Sequence, residues 1–186
     1  MRTTVNLLLS ALPALPMALA ACPGPDVNTA TTDLMKSFES WEPDVYDDGY
    51  GNPTIGYGHL CSDWSCSDVA YDIPLSEEDG VKLFAEDIAV YQDGVVSALD
   101  SSVTLNDNQY GALVSWCYNV GAGAVAESTL AARLNTGEDP NTVAEEELIK
   151  WVYANGEVSE GLKRRRNAEI ELFQTTSDGE ALPVSC

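Results

Sequence analysis

One segment of this chain, Val45 to Leu60, reads as strand and turn, whereas everything from Ser76 onward reads as helix. Within the segment, Tyr, Val, Thr and Ile alternate with Asp-Gly and Gly-Asn-Pro, residues that build hairpin turns. A sequence that switches once from helix to strand and back is confined to an α+β architecture. The order it predicts is one helix, a small sheet lobe, a long connecting helix and a helical lobe. The cleft between two such lobes suits an extended polymer.

Upstream of the sheet, Leu34, Met35, Phe38 and Trp41 recur at helical spacing after Thr31-Thr32-Asp33, which offers caps. Glu42-Pro43 is expected to end that helix. Downstream, Ser76 with Asp79 resembles a capping box, and Phe84, Ile88, Tyr91, Val95 and Leu99 form one apolar face. Asn106 caps a helix carrying Tyr110, Leu113, Val114 and Cys117, and Gly121 and Gly123 break it. Ser128 begins a short helix that Gly137 closes, and Thr142 caps one with Leu148, Trp151 and Val152. A last helix runs from about Ser159 to Phe173.

Residues 1–20 read as an export signal, with Arg2 as the positive end, an apolar stretch from Val5 to Leu19, and Ala18-Leu19-Ala20 as the cleavage site. That leaves residues 21–186 as a single secreted domain. Leu19-Ala20-Ala21-Cys22 also resembles a lipobox, in which Cys22 would carry the lipid. No later segment approaches a membrane span. Export makes disulfides the expected state of the five cysteines. Cys61 and Cys66 form a local clip, Cys22 and Cys186 are the candidate second pair, and Cys117 is left as a buried thiol. With one His and no second close Cys pair, no metal site is expected. The net charge of −21 makes nucleic acid and anionic membranes poor partners.

The chemistry gathers in residues 38–60. Glu39 stands near the end of the first helix, Asp48 nine residues later in the hairpin, and Thr54 six beyond that. Taken singly, Glu39 is a solvated acid and Asp48 a turn residue. Together they put two carboxyls across a cleft mouth, as glycosidic cleavage requires. One protonates the leaving oxygen, and the other stabilises charge or directs a water that the Thr54 hydroxyl holds.

The Glu-x8-Asp-x5-Thr spacing, followed by Thr-Ile-Gly-x-Gly-His, resembles the catalytic signature of the phage-type lysozymes of glycoside hydrolase family 24, which include secreted fungal muramidases. Asn106 to Ser115, Tyr118-Asn119-Val120-Gly121, Ser128-Thr129-Leu130, Asn135-Thr136-Gly137 and Gly161 to Arg166 extend the resemblance to Phe173. It implies a lysozyme-like fold that hydrolyses the β-1,4 bond between N-acetylmuramic acid and N-acetylglucosamine in peptidoglycan, without metal or organic cofactor. It also implies inversion at the anomeric carbon, with carboxyls roughly 6.5–9.5 Å apart. Residue by residue, it makes Glu39 the general acid, Asp48 the water-positioning or charge-stabilising carboxylate, and Thr54 its partner. His59 becomes a supporting ion-pair residue, and Arg165 the arginine that reaches Glu39. Leu60, Tyr118, Asn119 and Thr129 become lining residues of the saccharide cleft. Trp41, Trp64, Trp116 and Trp151 read as core or staple-packing residues.

The implied partner is the glycan strand of bacterial peptidoglycan, met by a monomer. A catalytically silent glycan-binding module of the same fold is the rival, and intact Glu39, Asp48 and Thr54 count against it. Chitin hydrolysis shares the chemistry and differs only in cleft contacts. Because bacterial walls are anionic, an acidic pH optimum is expected.

Overall fold

A computed structural model of the chain describes residues 22–184. Residues 1–20, read above as an export signal, and Cys186 with its pairing lie outside the described residues; Cys22 is disulfide-bonded. The chain begins with α1 (Thr29–Lys36), then β1 (Glu42–Asp47), β2 (Pro53–Gly56) and β3 (His59–Leu60). The long α2 (Glu77–Ala98) leads to β4 (Leu105–Asn106), α3 (Asp107–Val120), α4 (Ala122–Ala126), α5 (Thr129–Asn135) and α6 (Pro140–Leu148). A hairpin of β5 (Tyr153–Ala154) and β6 (Glu157–Val158), α7 (Glu160–Gln174) and β7 (Glu180–Leu182) complete it.

The first three strands form an antiparallel sheet in chain order, with Thr54 opposite both Tyr46 and Leu60. Its apolar side is small: Ile55, Leu75 and the Cys61–Cys66 disulfide, whose Cα atoms are 4.8 Å apart, pack on Leu83 of α2. The next residue, Phe84, belongs to the larger helical core with Ile88, Tyr110, Trp116, Leu130 and Phe173. Helix α2 therefore contributes adjacent side chains to two cores, and that makes it the strut between the lobes. The Ser76 hydroxyl accepts from the Asp79 N–H at its start, and Glu77, Glu78 and Asp79 face the positive end of its dipole.

Helix α3 is the axis of the helical lobe. Tyr110 to Cys117 are all buried, so the helix is covered on every side. Asn106 and Gln109 close a reciprocal capping box at its start, and Gly121, with φ of 87°, ends it. Cys117 is a free thiol inside this core, pushed up to about 11 by burial.

Several boundaries differ from the sequence expectation. Helix α1 is capped by Asn28, so Thr31, Thr32 and Asp33 lie inside it. It ends at Lys36, because the Ser37 hydroxyl donates to Leu34 O at 2.6 Å and the Phe38 N–H to Met35 O at 3.0 Å, a tightened last turn. Phe38, Glu39 and Trp41 thus leave the helix. Glu42-Pro43 opens an edge strand, where a residue without an N–H is tolerated. Gly123 lies within α4 rather than breaking the chain. Asp139, not Thr142, caps α6, with Pro140 in its first turn, and the helix stops before Trp151 and Val152. Trp64 is 58 % exposed and is no packing residue, whereas Trp116 and Trp151 meet edge to face at 5.2 Å.

Helices α1 and α3 touch at Gly111, where a Cβ would collide with the buried Thr31 side chain. Gly111→Ala is expected to lower unfolding free energy by about 1–3 kcal/mol, read from the urea midpoint. Adding Thr31→Ala is expected to recover part of that loss, which identifies overpacking as the cause.

Candidate active site

Glu39 lies three residues past the end of α1, in the turn that leads into the sheet. Its Oε1 accepts a hydrogen bond from Arg165 Nη1 at 2.8 Å, and its side chain is 21 % exposed against 7 % for Arg165. Arg165 is fixed from three sides. Its Nη2 donates to Ser115 O at 3.3 Å, its Nε to Glu169 Oε1 at 3.3 Å, and its guanidinium lies 5.5 Å from the centre of the Phe38 ring.

Beneath it Glu169, fully buried, also accepts from the Ser115 hydroxyl at 2.8 Å and from Arg166 Nη2 at 3.0 Å. Burial pushes the Glu169 carboxyl up and the Arg166 guanidinium down, and their mutual attraction opposes both. An arginine cannot give up its proton in such a setting, so the cluster stays ionic.

The other oxygen of Glu39 is open. Oε2 carries no hydrogen bond among the described residues. A Cβ on Gly58 would lie 3.7 Å from it and 3.4 Å from the Tyr118 hydroxyl. Gly58 also has φ of 98°, so glycine is required there for its backbone and for the room it leaves. Tyr118 donates to Tyr57 O at 3.2 Å, and burial, then the nearby charges of Glu39 and Asp87, push its phenol upward. From Tyr118 a groove of about 350 Å³ runs past Gly58, Leu60, Asp87 and Tyr91, with Leu60 61 % exposed on its wall.

His59 lines the same groove as a bound residue. Its Nδ1 is 2.8 Å from Asp87 Oδ1, and its Nε2 faces Asp68 Oδ2 at 3.5 Å. Burial raises Asp87 while His59 pulls it back; Asp68 is held low, chiefly by the Ser62 N–H.

Asp48 sits at the hairpin tip. Its Oδ1 accepts from the N–H groups of Tyr50 at 2.8 Å and Asn52 at 3.2 Å, and its Oδ2 accepts from Asn52 Nδ2 at 2.9 Å. These donors, the Asn52 side chain first, keep the carboxyl below the ordinary range. Asp48 is thus a turn residue and a persistent anion at once. Thr54, buried on β2, turns its hydroxyl to Asn52 O at 3.3 Å.

The structure brings Glu39, Tyr118, Leu60, His59 and Arg165 into one neighbourhood. Asn119 is exposed at the end of α3 and accepts from Arg166 Nη2 at 3.1 Å. Thr129 stands apart: it is exposed at the start of α5 and hydrogen-bonds Glu147. Among the described residues, no group of three or more His, Cys, Asp or Glu side chains is arranged to hold a metal ion.

Tyr46 escaped the sequence reading. It lies opposite Thr54, and burial, then the charges of Glu39, Glu42 and Asp48, raise its phenol, so both candidate carboxyls act on it. Its place near the end of the strand that leads to Asp48, two residues upstream, was the available signal. Glu169 and Ser115 were also missed, since nothing local marks them as partners of Arg165.

A two-lobed helix-and-sheet body with an anchored carboxyl beside its groove is the lysozyme-like fold. Residues 36–169 match the phage lysozyme family model, and the chain belongs to that family. It is 39 % identical over 164 residues to the endolysin of Bacillus phage B103, a match that covers 86 % of this chain and 57 % of that one. The chain thus spans little more than half the length of that relative.

A mutant P22 lysozyme superposes with a TM-score of 0.69 at 29 % identity, covering 81 % of this chain and 99 % of its own. The muramidase domain of SpmX from Asticaccaulis excentricus superposes with a TM-score of 0.67 at 30 % identity, covering 81 % of this chain and 98 % of its own.

Asn52→Ala removes the largest cause of the low Asp48 value, so Asp48 is expected to titrate at higher pH, measured by carboxyl NMR. The sign follows from linkage. A carboxylate depressed in the folded state adds stability above its unfolded value, near 3.9. That stability fades as pH falls through the folded value, so the variant loses acid tolerance in the hairpin before it loses it elsewhere.

Proposed function

We propose that this chain is a secreted, monomeric muramidase that hydrolyses the β-1,4 bond between N-acetylmuramic acid and N-acetylglucosamine, with inversion. One observation carries the reading. Glu39 has one oxygen tied to a buried arginine and the other free of hydrogen bonds among the described residues and facing Gly58, which lines the groove. A carboxyl so held gives its proton to an atom arriving from one direction.

In the proposed reaction Glu39 protonates the bridging oxygen as its bond to the anomeric carbon breaks. Asp48, kept ionised by its loop donors, faces the positive charge that develops on the ring. A water oriented by Asp48 and the Thr54 hydroxyl adds from the opposite face and passes its proton to Asp48. Residues 1–20 direct export in this reading, which carries the enzyme to a wall outside the cell that makes it.

Turbidity loss of a peptidoglycan suspension tests it. The wild type is expected to clear the suspension at pH 4–5, and Glu39→Gln to be slower by about 10²–10⁴-fold. If neither protein clears the walls but both sediment with them, the chain is a glycan-binding module instead. The same assay fixes the pH dependence. With thirty acidic residues against nine basic ones, repulsion from the anionic wall weakens as carboxyls take up protons. Activity is therefore expected to peak below neutrality at low ionic strength, and a peak at pH 7–8 under those conditions refutes the electrostatic argument.

A further inference from the structure

A second hollow, of about 260 Å³, lies beside the one that holds Leu60. It is walled by Phe38, Asn119, Ser159, Leu162, Arg164 and Arg165. Tyr118 lines the first hollow and its neighbour in α3, Asn119, lines the second; Arg165, in the wall of the second, is bonded to Glu39 at 2.8 Å.

Two features set it apart from the rest of the surface. No carboxylate lines it, in a protein where acids outnumber bases by more than three to one. Arg164 is also the one basic side chain among the described residues with no hydrogen bond or ion pair. Lys36, Lys82, Arg133, Lys150, Lys163, Arg165 and Arg166 all have carboxylate partners. Asn119 adds a donor: its Oδ1 is occupied by Arg166, which leaves its Nδ2 hydrogens for a ligand.

An unpaired guanidinium and a free amide in a hollow without acids are complementary to an anion, and a guanidinium fork fits a carboxylate best. We propose that this hollow binds a carboxylate carried by the muramic acid residue, and that Arg164 is a specificity-determining residue that separates peptidoglycan from chitin.

The proposal rests on the muramidase reading. In muramic acid the lactyl ether stands on C3 of the ring whose C1 bond breaks, so in this reading its acid is carried within one sugar ring of the bond that Glu39 protonates. Chitin has no carboxylate to offer. The contact also gives a strongly acidic protein one local attraction for an anionic polymer. The carboxylate has two sources: the lactyl acid itself where the peptide is absent, or the acids of the stem peptide where it is present.

The test uses the full chain with Arg164→Ala, Arg164→Lys and, as a charge-matched control one residue away, Lys163→Ala. Cleavage is followed on soluble glycan strands stripped of peptide and on strands that keep their stems. A neutral N-acetylglucosamine tetramer is read as a competitive inhibitor. Arg164→Ala is expected to raise KM on carboxylate-bearing strands by about 5–20-fold, the loss of one charge-assisted hydrogen bond. The kcat and the inhibition constant of the neutral tetramer are expected to stay within about twofold, and Arg164→Lys to recover part of the loss.

A rise confined to peptide-free strands assigns the hollow to the lactyl acid, a rise confined to peptide-bearing strands assigns it to the stem acids, and a rise on both shows that it takes either carboxylate. Equal weakening of the neutral tetramer, an unchanged KM on both strands, or the same rise in Lys163→Ala overturns the proposal. A wild type that cleaves neither strand is a failure of the muramidase reading alone. Calorimetric binding of the same three ligands to the same variants then decides the proposal by the same criteria.

Discussion

The guanidinium of Arg165 ties together three parts of the chain that are far apart in sequence. It takes its place from α7, its floor from Ser115 and Glu169, and its outer partner from Glu39 in the turn after α1. A buried arginine is costly without counter-charges, and removing one partner from such a cluster costs about 3–5 kcal/mol. Fold and site are therefore coupled through one side chain. The interaction that satisfies Arg165 is also the one that aims Glu39. The Phe38 ring lies 5.5 Å from the Arg165 guanidinium on one side of the pair.

Asp48 is held by a contrasting logic. Its donors come from within five residues of the same hairpin, so its state depends on a turn and not on the core. The two candidate carboxyls thus stand in different physical settings, one braced by long-range burial and one by a local loop. Such a split is how one site keeps an acid and an anion in different roles. The two lobes that present them meet along α2, whose Leu83 and Phe84 enter separate cores, so motion between the lobes would change the spacing of the carboxyls.

Charge is distributed as unevenly as the cores. Most basic side chains are used up inside ion pairs, with Arg133 alone facing Glu138, Glu146 and Glu147. What remains outside is almost wholly acidic. Attraction to an anionic polymer then depends on a few local contacts and on pH rather than on the field of the whole protein.

Much of this was legible in the sequence because its causes are local. The Asn106–Gln109 box, the Ser76, Ser128 and Ser159 caps, the Gly121 stop and the turn-rich hairpin are set by neighbours a few residues away. The β5–β6 hairpin, where the sequence reading had only helix, has equally local causes that went unread: both turn residues, Asn155 and Gly156, have the positive φ that such a turn demands. The end of α1 was misread because apolar spacing at Phe38 and Trp41 continues past the helix for tertiary reasons. Phe38 lies against Arg165, and Trp41 packs against both cores.

The residue types of the site, and the spacing of Glu39, Asp48 and Thr54, were determined by the sequence alone. Which oxygen of Glu39 is held, which is open, and which arginine is left unpaired were decided only by the tertiary structure. Those states depend on groups more than a hundred residues apart meeting in a part-buried region of the fold.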